Sequence, residues 1–122
     1  GESKRVEAIK ISLSGQKAEG SVEYSAHVQD IGWQKSVKDG ALAGTTGKGK
    51  RVEAIKINLT GTLSESCDVY YRVHAQDYGG WTKNGNPAGT EGLSKRIEAI
   101  EIKVVTKGDT APEMGKEAFV KK

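Results

Sequence analysis

The 122-residue chain has a single cysteine, Cys67, so no disulfide can close within it. No segment approaches the roughly 20 consecutive apolar residues of a membrane-crossing helix, and no basic-then-apolar leader pattern opens the sequence. A mature or excised soluble fragment is therefore expected, with no membrane insertion. An excess of one charge sign is also missing: 19 Lys and Arg stand against 16 Asp and Glu, for a net charge of +3. The signs are interspersed, so there is no basic run to follow a phosphate backbone, and nucleic acid is not an expected partner. Apolar residues make up only 35% of the chain. No long window carries helical periodicity, which argues against a helical bundle.

Glycine, in contrast, is plentiful at 16 residues. It supplies the positive φ angles of tight hairpins and is disfavoured inside helices, so short strands and many turns are expected. The chain also repeats itself. The octet KRVEAIKI occupies residues 4–11 and again 50–57, and KRIEAIEI follows at 95–102. The arginines at 5, 51 and 96 stand 46 and 45 residues apart, a repeat period of one supersecondary unit. Two further blocks recur between octets: VEYSAHVQDIGW at 22–33 matches VYYRVHAQDYGGW at 69–81, and KDGALAGTTGKGKR at 38–51 matches KNGNPAGTEGLSKR at 83–96. Asp39-Gly40 and Asn84-Gly85 are strong hairpin dipeptides, because both central residues of a type I′ turn need positive φ. The chain divides into the end of an incomplete unit at 1–15, full units at 16–61 and 62–106, and a C-terminal segment at 107–122.

Period-two alternation places Val22, Tyr24, Ala26 and Val28 on one core-facing side, with Val69, Tyr71, Val73 and Ala75 matching them. His27, Gln29, Tyr70, Arg72, His74 and Gln76 fall on the other side, and both histidines are expected to point away from the main core. Along the octet, Val52 and Ala54 share one phase, while Ile55, Ile57 and Leu59 share the other. A β-bulge near Glu53-Ala54 would turn all five inward. The fold class expected is all-β with pseudo-three-fold symmetry, β-prism-like, with a β-trefoil as the alternative, and 5–13, 51–59 and 96–104 as equivalent long strands. One octet lacks its Tyr-to-Trp partner block, which leaves a strand edge to be covered by Phe119 and Val120 or by self-association with a second molecule.

The Gly-Trp corners at 32–33 and 80–81, the H-x-Q-D tetrads at 27–30 and 74–77, the AGT triplets at 43–45 and 88–90, and the KR-[VI]-E-A-I strands together closely resemble the clostridial hydrophobic repeats with a signature tryptophan, the ChW family. The resemblance covers nearly the whole chain. It implies an extracellular, cell-surface protein of a bacterium, built of repeats commonly found in threes, and a role in attachment with glycan as a proposed ligand. The chain departs from the family at Ser36, where many units carry a second tryptophan.

Candidate ligand residues are Trp33 with His27, Gln29 and Asp30, and Trp81 with His74, Gln76, Asp77, Tyr70 and Tyr78. An indole can stack on the C–H face of a sugar while neighbouring polar groups bond its hydroxyls. The competing role for each tryptophan is to plug the end of its sheet, and for each aspartate to cap the following turn. Because Tyr70 and Tyr78 have no aromatic counterpart in the first unit, the Trp81 site is expected to be the stronger. Arg51 and Glu53 read as members of an exposed ionic ladder facing His74 or Arg72, worth at most about 1 kcal/mol per pair. No catalytic residue is expected, because neither histidine has a serine or cysteine at the matching place of its own unit. One His with one nearby Asp per unit falls short of a zinc ligand set, so neither a metal nor another cofactor is expected. The expected role is a non-catalytic extracellular module holding cell-surface or cell-wall glycan. The alternatives are a module that binds an extracellular protein in adhesion or assembly, and a structural spacer.

Overall fold

The computed structural model describes residues 6–14, 19–74, 79–93, 97–112 and 117–121. In chain order the strands are β1 (Ala8–Ile9), β2 (Val22–Val28), β3 (Gly32–Trp33), β4 (Val37–Lys38), β5 (Ala43–Gly44) and β6 (Val52–Leu59). One helical turn, α1 (Thr62–Ser66), leads to β7 (Cys67–His74), β8 (Thr82–Lys83), β9 (Ala88–Glu91), β10 (Ala99–Thr106) and β11 (Phe119–Lys121). The described residues are all-β apart from that turn, and no helix among them is long and apolar enough to cross a membrane.

Each octet lies in a different sheet. Among the described residues β1 pairs with β5 alone, β6 is central in the order β11-β9-β6-β2-β3 with β4 also on β2, and β10 forms one edge of the order β10-β7-β8. Within each full unit the same hairpin recurs: β2 meets β6 from Val22 opposite Leu59 to His27 opposite Ala54, and β7 meets β10 from Val69 opposite Val104 to His74 opposite Ala99. The expected bulge is present. His27 faces Ala54 while Val28 faces Val52, so Glu53 is the extra residue, and Val52, Ala54, Ile55, Ile57 and Leu59 are all buried. Full burial of a side chain such as Ile55 or Ile57 contributes about 1.5–3 kcal/mol.

The turns repeat as faithfully as the strands. Asp39 and Gly40 take φ of 42° and 85°, and Asn84 and Gly85 take 45° and 85°, the positive pair that the dipeptides predict. In each turn the Asx side chain also works: Asp39 Oδ1 accepts the Val22 N–H at 3.1 Å, and Asn84 Oδ1 accepts that of Val69 at 3.0 Å. Tyr24 and Tyr71 lie in the core and donate their hydroxyls to the Ala41 and Asn86 carbonyls just past these turns. The amide of each turn glycine then reaches back to the octet before it, Gly40 N–H to the Ile11 carbonyl and Gly85 N–H to that of Ile57, both at 2.7 Å.

Two expectations need correction. The three octets are not equally long strands, since β1 spans only Ala8–Ile9 against eight residues in each of β6 and β10. Among the described residues β1 has β5 as its one neighbour, so one ladder holds it where two hold β6. The C-terminal segment does cover a strand edge, but a different one. β11 runs parallel to β9, with Phe119 opposite Gly89, and the Gly89 N–H donates to the Ala118 carbonyl at 2.8 Å.

Candidate functional site

The H-x-Q-D-x-G-W spacing is that of a hairpin. Gln29, Asp30 and Ile31 form a three-residue loop between β2 and β3, with Asp30 at φ 65° and Gly32 at φ 93°. The loop closes with the Ile31 N–H on the Val28 carbonyl at 3.0 Å, and it sets His27 opposite Trp33 on adjacent strands. The two rings meet edge to face, 5.4 Å between centroids and 75° between planes.

Around His27 the chain gathers a row of charges. Arg51 reaches Glu53 Oε2 with two nitrogens, at 3.2 and 3.1 Å. The other Glu53 oxygen lies 3.3 Å from His27 Nδ1, and Glu91 Oε1 lies 3.1 Å from His27 Nε2. Glu53 comes from the bulge of β6, and Glu91 from the end of β9 in the following unit. Beside this row, Gln29 pairs with Arg51 twice: its N–H donates to the Arg51 carbonyl at 2.9 Å, and its Oε1 accepts the Arg51 N–H at 3.4 Å. Asp30 accepts from Lys50 Nζ at 2.8 Å, and this bond and the ammonium charge hold its carboxyl below the ordinary aspartate range. These groups frame an open cleft of about 370 Å³, which Ile31 and Gly92 also line.

The sequence expectation for the histidines is corrected by this geometry. His27 does lie on the side opposite Tyr24, Ala26 and Val28, as alternation requires, yet it is buried, because β9 of the next unit folds over it. Arg51 and Glu53 are not an exposed ladder against His74 or Arg72. Arg51 pairs with Glu53, Glu53 lies against His27, and their side chains are 16% and 6% exposed. Glu91 leaves no signal within one unit, since the matching position of the first unit is Thr46 and the contact crosses between units.

The matching region of the second full unit is built differently. His74 is half exposed, and its Nε2 lies 3.0 Å from Glu101 Oε1, which also accepts from Arg72 at 2.9 and 2.7 Å. The His74 and Arg72 bonds hold the Glu101 carboxyl below the ordinary range. Trp81 is 9% exposed, with Arg72 Cζ 4.8 Å and Lys103 Nζ 5.4 Å from its ring. Tyr70 is 7% exposed, with Lys83 Nζ 5.7 Å from its ring. Gln76, Asp77 and Tyr78 lie outside the described residues. The structure thus brings His27, Gln29 and Asp30 together at an open cleft, sets Trp33 against the His27 ring outside the cleft lining, and lays cationic side chains over Trp81. Trp33 has one such cover, Lys56 Nζ at 4.2 Å. Octet sequence accounts for the contrast: Lys56 of the second octet corresponds to Glu101 of the third, so the cover over Trp81 comes instead from Arg72 and Lys103.

No group of three or more His, Cys, Asp or Glu suited to a metal ion occurs among the described residues. No curated protein and no solved structure matches the chain. A family model described as Clostridial hydrophobic W matches residues 27–61 and 74–106, beginning at His27 in one unit and His74 in the next. With more than half of its length in those two matches, the chain belongs to the ChW (Clostridial hydrophobic W) repeat family.

Proposed function

We propose that the protein is a non-catalytic repeat module of a bacterial cell-surface protein and that it holds cell-surface or cell-wall glycan in the cleft beside His27. The observation that carries this reading is the cleft itself, where donors on Arg51 and Gln29 and acceptors on Asp30 and Glu91 converge beside His27, whose ring the half-buried Trp33 meets edge to face from outside the cleft lining. A sugar ring offers hydroxyls to such groups and a C–H face to an indole, and a shallow wet site of this kind gives modest affinity per unit that an array multiplies. Stacking on Trp33 would displace the Lys56 ammonium, at the cost of a partly buried cation–π contact worth about 1–2 kcal/mol. The described neighbours of His27 are two carboxylates and an indole, which fix the imidazole as one wall of the cleft. The module is further read as a prism-like, pseudo-three-fold array, a reading supported by the placement of the three octets in three sheets.

A protein ligand is the second reading, favoured by Ile31, which is 49% exposed at the rim of the cleft. A glycan array, followed by calorimetric titration with solubilised cell-wall polysaccharide, separates the two. Binding should fall at least tenfold in Asp30→Ala and in Trp33→Ala. Asp30 is exposed, so losing its Lys50 bond and placing Ala at φ 65° should lower the melting temperature only modestly and leave the chain folded. If no polysaccharide binds, while Ile31→Asp abolishes capture of a defined surface protein, the glycan assignment is wrong and the protein reading replaces it.

A further inference from the structure

The three octets share Glu-Ala-Ile, and two of them carry the same visitor. At the first, β5 lies along β1 with Gly44 opposite Ala8 and Ala43 opposite Ile9. At the second, β9 lies along β6 with Gly89 opposite Ala54 and Ala88 opposite Ile55. A Cβ on Gly44 would fall 2.4 Å from the Glu7 carbonyl oxygen and 2.7 Å from the Ala8 Cα, and one on Gly89 would fall 2.3 and 2.7 Å from the same atoms of Glu53 and Ala54. Both docks are therefore backbone-to-backbone contacts that only glycine permits, and each is fastened by a turn glycine bonded to Ile11 or Ile57. The third octet has β7 on one side and, among the described residues, no strand on the other. Ile102 and Val104 are 38% and 44% exposed there, whereas Ile57 and Leu59, at the matching places of the second octet, are 0% and 3% exposed.

We propose that the open edge of β10 docks β5 of a second copy of this chain, in the register that the chain already uses twice. Gly44 of the incoming copy lies opposite Ala99 and Ala43 opposite Ile100, with the Gly40 N–H on the Ile102 carbonyl. A second copy fits because its β5 is held by a two-residue partner, β1, which is only half-buried. β10 presents the same Glu-Ala-Ile sequence, already braced by an eight-residue ladder to β7. It exchanges for β1 at β5 and covers Ile102 and Val104 in the process. The contact joins unlike surfaces, so it adds copies in a row rather than closing a pair.

Sedimentation velocity of the full chain from about 10 µM to about 1 mM tests this, the range in which a small strand-edge contact of modest free energy populates. The mean mass should rise with concentration through dimer to larger species. Ala99→Arg, at an exposed position, should keep the melting temperature and abolish the rise. Ala8→Arg, the equivalent change on β1, should do the reverse: by loosening β1 it frees β5, and association should begin at about tenfold lower concentration, or about 1.4 kcal/mol. Two results overturn the proposal. One is a chain that stays monomeric throughout, both unaltered and as Ala8→Arg; the other is association that persists undiminished in Ala99→Arg, which would place the contact on another face.

Discussion

His27 and His74 occupy the same place in two nearly repeated hairpins, yet their side chains are 9% and 44% exposed. The difference does not arise within the hairpins, whose ladders run in matching register through His27 opposite Ala54 and His74 opposite Ala99. It arises on the far side of each octet. The octet paired with His27 carries β9 of the next unit there, and Glu91 at the end of β9 reaches back to the imidazole. The octet paired with His74 is an edge strand among the described residues. A unit of this protein thus holds the histidine and the loop of the cleft, and the unit after it adds Glu91 to the cleft wall. On the proposed reading, the functional element is the junction between units.

The sharpest way to break that comparison is at the glycines of the two junctions. Gly89 has φ of 120°, and its missing Cβ would overlap the backbone of Glu53 and Ala54, which no rotamer change relieves. Gly89→Ala should cost about 4 kcal/mol or more, among the largest single-residue effects, and most of the folded population at moderate temperature. Gly44→Ala creates a similar overlap with Glu7 and Ala8, but β1 can leave. Its cost should be limited to the undocking of that segment, about 1 kcal/mol. Thermal melting together with proteolysis of the N-terminal residues measures both. Equal losses would show that β1 belongs to the cooperative unit as fully as β6 does.

Legibility in the sequence tracks the range of the interactions. Alternation, the Asx-Gly turns and the phase break in the octet are local, and each became a core face, a type I′ turn and the bulge at Glu53. The hairpin that opposes His27 to Trp33 is equally local, so half of the cleft was readable from spacing. The other half was not, because Arg51, Glu53 and Glu91 arrive from a neighbouring strand and a neighbouring unit, and pairing order between sheets leaves no mark on period-two patterns. The same holds for Trp81. Its extra tyrosines suggested the larger aromatic face, but Arg72 sits beside Val73 in β7 and Lys103 comes from β10, and only the sheet shows that both lie on the indole.

Truncating the two tryptophans sharpens the comparison at the next level of effect. Trp81 is nearly buried beneath two cationic side chains, so Trp81→Ala should cost about 3 kcal/mol, near the low end for a core aromatic. Trp33→Ala removes a half-buried ring with one such cover and should cost about 1–2 kcal/mol while taking most of the ligand affinity with it. Denaturant melts paired with the polysaccharide titration read both quantities. If Trp81→Ala melts with the unaltered chain and loses binding instead, the second unit holds the ligand and the cleft beside His27 does not.

The smallest effect asks whether the bare-edged unit opens independently of the rest. The Tyr71 hydroxyl is held in the core of that unit on the Asn86 carbonyl, and burial pushes its pKa up to about 12 against an ordinary value near 10. Above pH of about 10 the unfolded chain releases a proton that the folded chain keeps, so the folded state binds more protons and stability falls as pH rises. The contribution is fully present below about pH 10 and lost as pH climbs through about 12, in total some 2–3 kcal/mol. Tyr71→Phe should lose about 1 kcal/mol at neutral pH with the hydrogen bond, and then show a flatter decline in alkali. Denaturant midpoints at a series of alkaline pH values give the slope, and phenolate absorbance gives the event. Absorbance that grows only as the whole chain unfolds means that β7 and β10 share the fate of β2 and β6. If a tyrosine that is missing in Tyr71→Phe instead titrates near pH 10 while the Trp33 environment stays native, the second unit opens by itself, and the cooperative core ends at β6 and β9.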